Sequence, residues 1–289
     1  MLFNVLGPIE VINSSTNVTI SSARQQTILT ALLLGSNQPV PLRQLVDAVW
    51  DGNPPRTATN QVRICISSLR RLLTAPGSPE LIETHIAGYL LRVTDSQLDL
   101  RRYEALVGVG LNLAADHRLE EAVRHLRAAL ELWRGPVAAG ISSRAVQVSA
   151  TRLQESRLSV VEQCIDLELQ LGRHREIIAE LTELVATHPL HEQLRARLML
   201  ALYRSGRPAE ALATFRSGRE TLVAELGLDP GIELRAVEQA ILTGQPSLGG
   251  LRVDIGSLPM TLPPAPEQGH PFAVLSPLPR TRLPETVLN

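Results

Sequence analysis

The apolar pattern of the first hundred residues changes period several times. Leu2-Phe3-Asn4-Val5-Leu6, Ile9-Glu10-Val11-Ile12 and Val18-Thr19-Ile20 read as three short strands, the first two parted by Gly7-Pro8. From Arg24 to Leu34 the spacing turns helical through Ile28, Leu29, Ala31, Leu32 and Leu33, with Ser21 or Ser22 as the expected N-cap. Gly35-Ser36-Asn37-Gln38-Pro39 stops that helix. Leu42, Leu45, Val46, Val49 and Trp50 mark a second one over 42–50, broken by Asp51-Gly52-Asn53-Pro54-Pro55. A third runs over 57–74 and gives way to the loop Ala75-Pro76-Gly77-Ser78-Pro79. Leu81-Ile82-Glu83-Thr84 and Tyr89-Leu90-Leu91-Arg92-Val93, with Gly88 between them, predict a β-hairpin.

Residues 96–245 are helical in pattern almost throughout, with stops at Gly135-Pro136, Gly172, Pro189, Gly206 and the stretch from Gly227 to Gly231. The segments around Gly172 and Gly206 lie 34 residues apart and correspond: Leu171-Gly172-Arg173, Ile177 and Leu181 against Ser205-Gly206-Arg207, Ala211 and Phe215. Thirty-four residues is the period of tetratricopeptide helix pairs. A weaker earlier copy is Leu119-Glu120-Glu121-Ala122 with Leu126 and Ala129. Residues 246–289 hold 9 of the 20 prolines and keep no periodicity, so a disordered C-terminal tail is expected there. The pattern thus predicts a mainly α chain in three parts: an α+β winged helix-turn-helix over 1–95, an all-α tetratricopeptide-like repeat over 96–245, and the tail.

Composition removes several functions. The chain of 289 residues contains no Lys; all 28 basic residues are Arg, against 29 acids. A P-loop, a Schiff-base lysine and a kinase-type lysine are therefore excluded. Cys65 and Cys164 stand far apart in apolar helical contexts with no CxxC or Cys/His spacing, so reduced buried thiols are expected. No apolar run reaches the length of a membrane span, and the N-terminus has no basic n-region, which predicts a cytoplasmic protein without membrane contact. His188-Pro189-Leu190-His191-Glu192 is not a metal site, because Pro189 breaks the i, i+4 pairing of an HExxH helix. Trp50 and Trp133 read as core. The acids of the second part alternate with Arg and read as solvated i, i+4 pairs. No enzyme signature, metal or cofactor emerges.

Net charge conceals one asymmetry that changes this picture. From Gly52 to Pro79 there is no Asp or Glu, while Arg56, Arg63, Arg70 and Arg71 are present. In the third helix Val62, Ile66, Leu69 and Leu73 form one stripe, and Asn60, Arg63, Ser67 and Arg71 lie opposite. Guanidiniums, an amide and a hydroxyl without a carboxylate are what a helix in a major groove needs: Arg suits guanine O6/N7 and Asn suits adenine N6/N7. The 42–50 helix would cross the backbone and the hairpin would be a wing, with Thr84, His85 and Arg92 as its polar candidates. Arg24, Arg56, Arg70 and His85 are the expected phosphate or groove contacts. The alternative is an interaction scaffold, in which the helical repeats do the work and the winged helix docks a protein.

The ordered motifs Phe3-Asn4-Val5-Leu6-Gly7-Pro8, Leu45-Val46-Asp47-Ala48-Val49-Trp50, Ser68-Leu69-Arg70-Arg71-Leu72-Leu73, Ala87-Gly88-Tyr89-Leu90-Leu91, Leu132-Trp133-Arg134-Gly135-Pro136 and Glu225-Leu226-Gly227-Leu228-Asp229-Pro230 resemble the Streptomyces antibiotic regulatory proteins. That family joins an OmpR-type winged helix to a bacterial transcriptional activator domain. The resemblance implies an activator of a secondary-metabolite gene cluster that binds double-stranded DNA at promoter direct repeats. It also implies a homodimer on DNA, contact with RNA polymerase holoenzyme, and the loop Asp51, Gly52, Asn53, Pro54 and Pro55 as the polymerase contact. Two positions depart from the family pattern: His85 stands where members commonly carry a basic residue, and Gln26 where many carry a second one.

Overall fold

The computed structural model describes residues 1–13, 16–74 and 80–244. The expected 75–79 loop and the expected tail lie outside the described residues. The chain opens with β1 (Leu2–Asn4), β2 (Glu10–Asn13) and β3 (Thr16–Asn17), an antiparallel sheet in that order. The three helices α1 (Ala23–Leu34), α2 (Leu42–Trp50) and α3 (Ala58–Leu73) follow, then the hairpin of β4 (Ile82–His85) and β5 (Gly88–Leu91). Seven helices complete it: α4 (Asp99–Ala115), α5 (Leu119–Leu130), α6 (Arg144–Gln170), α7 (His174–Thr187), α8 (Glu192–Arg204), α9 (Pro208–Leu226) and α10 (Ile232–Leu242).

The third strand is not Val18–Ile20, as the apolar run suggested, but Thr16–Asn17. The Val18 N–H still donates to the Val11 carbonyl, but the Ile20 carbonyl accepts from the Gln26 side chain. The backbone has by then left the sheet to enter α1, and Ile20 is buried as an anchor. Ser22 is the N-cap of α1, without a capping side-chain bond.

Glycine is required where the wing meets the helices. Val40 and Tyr89 exchange both backbone hydrogen bonds, so the hairpin is held to the segment ahead of α2. A Cβ on Gly88 would lie 2.0 Å from the Val40 carbonyl oxygen. A second glycine role recurs in the repeats. Gly172 and Gly206 both take φ +79°, and the N–H of the following arginine closes back on the carbonyl of Glu168 or Leu202. The weaker copy makes the same turn: the Arg118 N–H bonds the Leu113 carbonyl, and His117 takes the left-handed position with φ +58°.

Apolar packing does not divide at residue 95. One core runs from Phe3 through the winged helix to Val160, Cys164 and Leu167; the other holds Val161, Ile165 and Leu169 with α7, α8, α9 and α10. Both triplets sit on α6. They form two stripes turned by about 100° or more on one helix, so α6 is shared between cores. The N-terminal sheet is sewn to the helices by polar bonds. Buried Asp99, at the start of α4, accepts the N–H groups of Val5, Leu6 and Leu100 at 2.8–2.9 Å. Burial raises its pKa, against the pull of those three donors and of Arg134. Arg134 reaches Glu10 at 2.8 Å, and its own N–H bonds the Leu6 carbonyl. The Trp-Arg-Gly-Pro motif is therefore a docking segment for the β1–β2 turn and the start of β2, and Trp133 packs edge-on to Tyr103 at 5.4 Å.

The acids of the helical part are not all solvated neighbours of Arg. Arg118–Glu121 and Arg207–Glu210 are exposed i, i+3 pairs. Arg127 instead bridges three helices, reaching Glu168 on α6 and Glu180 on α7. Arg197 on α8 is 3% exposed and pairs with Asp166 at 2.7 Å and Glu162 at 3.3 Å on α6. Periodicity along one helix cannot reveal partners that arrive from another. Both cysteines are free, and burial pushes the Cys164 thiol up to about 12. No helix among the described residues is long and apolar enough to cross a membrane.

Candidate nucleic-acid interface

Helix α3 buries Ala58, Val62, Ile66, Leu69 and Leu73 against α1 and α2. That stripe leaves the opposite face in solvent, and Asn60, Arg63, Ser67 and Arg71 are all exposed on it. Among the described residues, neither Arg63 nor Arg71 has a carboxylate partner, and the same holds for exposed Arg56 at the helix entrance. The face also carries Ile64, 68% exposed. Sequence reasoning missed it because an apolar residue in a helix is normally counted into the core. Its signal was phase: at about 100° per residue Ile64 falls on the side of Asn60 and Arg71, not with Val62 and Ile66.

Two of the expected contacts also have partners within the protein. The Arg70 guanidinium donates to the Ile82 carbonyl at 2.9 Å and the Thr84 hydroxyl at 2.8 Å, and lies 2.8 Å from Glu80. It also stacks over Tyr89 at 5.9 Å. Arg70 is thus a clamp between α3 and the wing. Arg24 donates to Gln61 at 2.6 Å and lies over the Trp50 ring at 5.5 Å, binding the start of α1 to α2 and α3. Its charge stays at an exposed edge. Cys65, half-buried on α3, has its pKa raised by burial and lowered by Arg24.

The wing tip is the turn after β4. His85 is exposed there and its Nδ1 accepts the Ala87 N–H, while Ile86 is fully exposed. Arg92 does not reach outward from the wing, because it pairs with Glu83 across the hairpin. The loop Asp51-Gly52-Asn53-Pro54-Pro55 is exposed throughout. Asp51 ends α2 with φ +48°, and its carboxylate accepts the Arg144 N–H at 2.9 Å, at the N-terminus of α6. A negative charge is favoured at that helix end.

This architecture has close counterparts. Residues 16–91 match the model of the transcriptional regulatory protein C-terminal domain, and residues 98–242, half of the chain, match the bacterial transcriptional activator domain. Over 86% of its length the chain is 39% identical to regulatory protein AfsR of Streptomyces coelicolor, of which it spans 25%. It is 34% identical to regulatory protein DnrI of Streptomyces peucetius, of which it spans 94%. The solved structure of Mycobacterium tuberculosis EmbR in complex with a low-affinity phosphopeptide superposes with a TM-score of 0.81 at 35% identity, covering 85% of this chain and 65% of that one. Carrying both domains in the order of these relatives, the chain belongs to the Streptomyces antibiotic regulatory protein family of transcriptional regulators.

Proposed function

We propose that the chain is a sequence-specific DNA-binding activator in which α3 lies in the major groove. The observation that carries this is the outward face of α3: Asn60, Arg63, Ser67 and Arg71 all exposed, in a stretch without a single carboxylate. In this reading Asn60, Arg63, Ser67 and Arg71 meet base edges, and Ile64 offers methyl groups to a thymine C5-methyl. Arg56 and Arg24 meet phosphates. Arg70 is a positioning residue that sets the wing, and His85 with Ile86 enters the adjacent minor groove. An apolar side chain at a wing tip suits contact with sugars or insertion at a base step.

Residues 1–95 would act as the DNA-reading unit and 96–245 as the activating unit, bound to it through the shared core. The targets would be promoter direct repeats of a secondary-metabolite gene cluster, occupied by a homodimer. Asp51-Gly52-Asn53-Pro54-Pro55 would face RNA polymerase from a loop anchored on α6. The test is a gel-shift titration of the full chain against promoter fragments from its own genomic neighbourhood at two salt concentrations. Site-selective retardation that weakens steeply with salt is expected, since each phosphate contact releases a counterion. Absence of retardation at both salts overturns the reading and favours a protein-docking scaffold.

A further inference from the structure

Helices α7, α8 and α9 line an open cleft of about 620 Å³, within the usual size range of small-molecule sites. Its walls are mixed, with Val185, Leu198 and Leu202 among the apolar lining residues. Arg195 also lines it, although only 5% of that residue is exposed.

The surroundings of this arginine are unusual for a buried cation. Its neighbour Arg197, two positions on, is met by two carboxylates. Arg195 meets none at ion-pair distance among the described residues. Its hydrogen bonds go to the Thr214 and Pro189 carbonyls, which occupy two of the five guanidinium N–H donors. The nearest acid on its own helix is Glu192, which favours the charge from beyond ion-pair distance while its carboxylate accepts the Gly231 N–H at 2.6 Å; burial outweighs it and lowers the Arg195 pKa. At the rim Arg207 and Glu210 neutralise each other at 2.6 Å. A buried charge with no carboxylate in direct contact is costly unless something completes it.

The guanidinium is also fixed in place. Its stem lies on Gly218, where a Cβ would fall 2.2 Å from the Arg195 Cδ. Beside that glycine, the exposed Ser217 hydroxyl makes no hydrogen bond among the described residues, whereas Thr182, Thr214 and Thr221 donate theirs to helix carbonyls. Among the described residues the cleft thus offers the remaining N–H donors of Arg195 and the Ser217 hydroxyl beside apolar side chains.

We propose that this cleft binds a small organic acid, its carboxylate on Arg195 and Ser217 and its apolar body along Val185, Leu198 and Leu202. A single positive charge with no carboxylate at ion-pair distance matches a monoanion, and a planar guanidinium matches a carboxylate edge. A phosphate or polyanion would need the cationic surplus that the Arg207–Glu210 pair removes. Such a ligand would sit between repeat helices, away from α3, so the site stands or falls independently of DNA binding.

The test uses the full chain, titrated calorimetrically at neutral pH with octanoate and with octanamide, which has the same body without the charge. Octanoate should bind at least about tenfold more tightly, the worth of charge-assisted hydrogen bonds in a desolvated site. Arg195→Met should erase that preference. Ala213→Trp, at an exposed cleft-lining position, should block octanoate while leaving Arg195 and the fold intact, and it decides the matter if Arg195→Met does not fold. Equal binding of the two probes, no binding of either, or octanoate binding that survives Ala213→Trp overturns the proposal. Binding of a hexaglutamate peptide without octanoate binding also overturns it, and assigns the cleft to an acidic protein segment.

Discussion

Arginine is used in opposite ways in the two regions. On the outward side of α3, Arg63 and Arg71 stand in solvent within a stretch that has no acid, and Arg56 precedes them in the same condition. In the helical repeats, Arg127 and Arg197 are surrounded by carboxylates delivered from neighbouring helices. The first arrangement leaves a cation whose charge is unsatisfied within the molecule and so is available to a partner. The second spends the charge inside the fold, to fix how α5, α6, α7 and α8 sit against one another. Counting arginines does not separate these roles; the presence of a carboxylate within reach does. Arg70 shows the boundary, since it belongs to the acid-free helix by sequence yet is held by Ile82, Thr84 and Glu80 from the wing side.

The contrast can be broken most forcefully at Arg197. Arg197→Ala should cost about 3–5 kcal/mol in a urea melt, because Asp166 and Glu162 are left half-buried without a counterion. A loss below about 1 kcal/mol would place this pair with ordinary surface bridges. Arg63→Ala should do the reverse: the urea midpoint stays in place, while affinity for a cognate site falls by about 1–3 kcal/mol and discrimination at one base pair relaxes. Arg70 and Arg56 sharpen the distinction within one helix. Arg56→Ala should reduce the salt slope of DNA binding by about one unit, as expected for a lost phosphate contact. Arg70→Ala should leave that slope unchanged and lower stability by about 1–2 kcal/mol through the lost wing bonds. The smallest effect is expected at His117. His117→Gly should raise stability by about 0.5–1 kcal/mol, because the turn holds a left-handed backbone that glycine adopts without strain. An unchanged or lower melting point would mean that the His117 side chain contributes more than its backbone costs.

What the amino-acid pattern discloses depends on the range of the interaction. Helix α2 has the predicted bounds Leu42–Trp50, because five apolar residues at helical spacing lie between Pro41 and Gly52. The 34-residue spacing of Gly172 and Gly206 reports a turn that really recurs, down to the hydrogen bond after each glycine. The polar side of α3 was legible for the same reason, since burying one stripe exposes its opposite. Contacts closed over long distances were not legible. Nothing near Asp99 announces that it will accept the N–H groups of Val5 and Leu6, more than ninety residues earlier. The partners of Arg70 were hidden in the same way, because Ile82 and Thr84 arrive from a hairpin. Arg195 gave no signal at all, since its distinction lies in the acid that does not come.

Helix α6 has 27 residues, which makes it about 40 Å long. Its first N–H is pinned to Asp51 beside the proposed reading head, and its far half is embedded among the repeat helices. A rod fastened in this way works as a lever arm rather than a tether. A tilt of α7 and α8 against it would reach the α2–α3 loop as a displacement of a fixed end, with no slack between to absorb it.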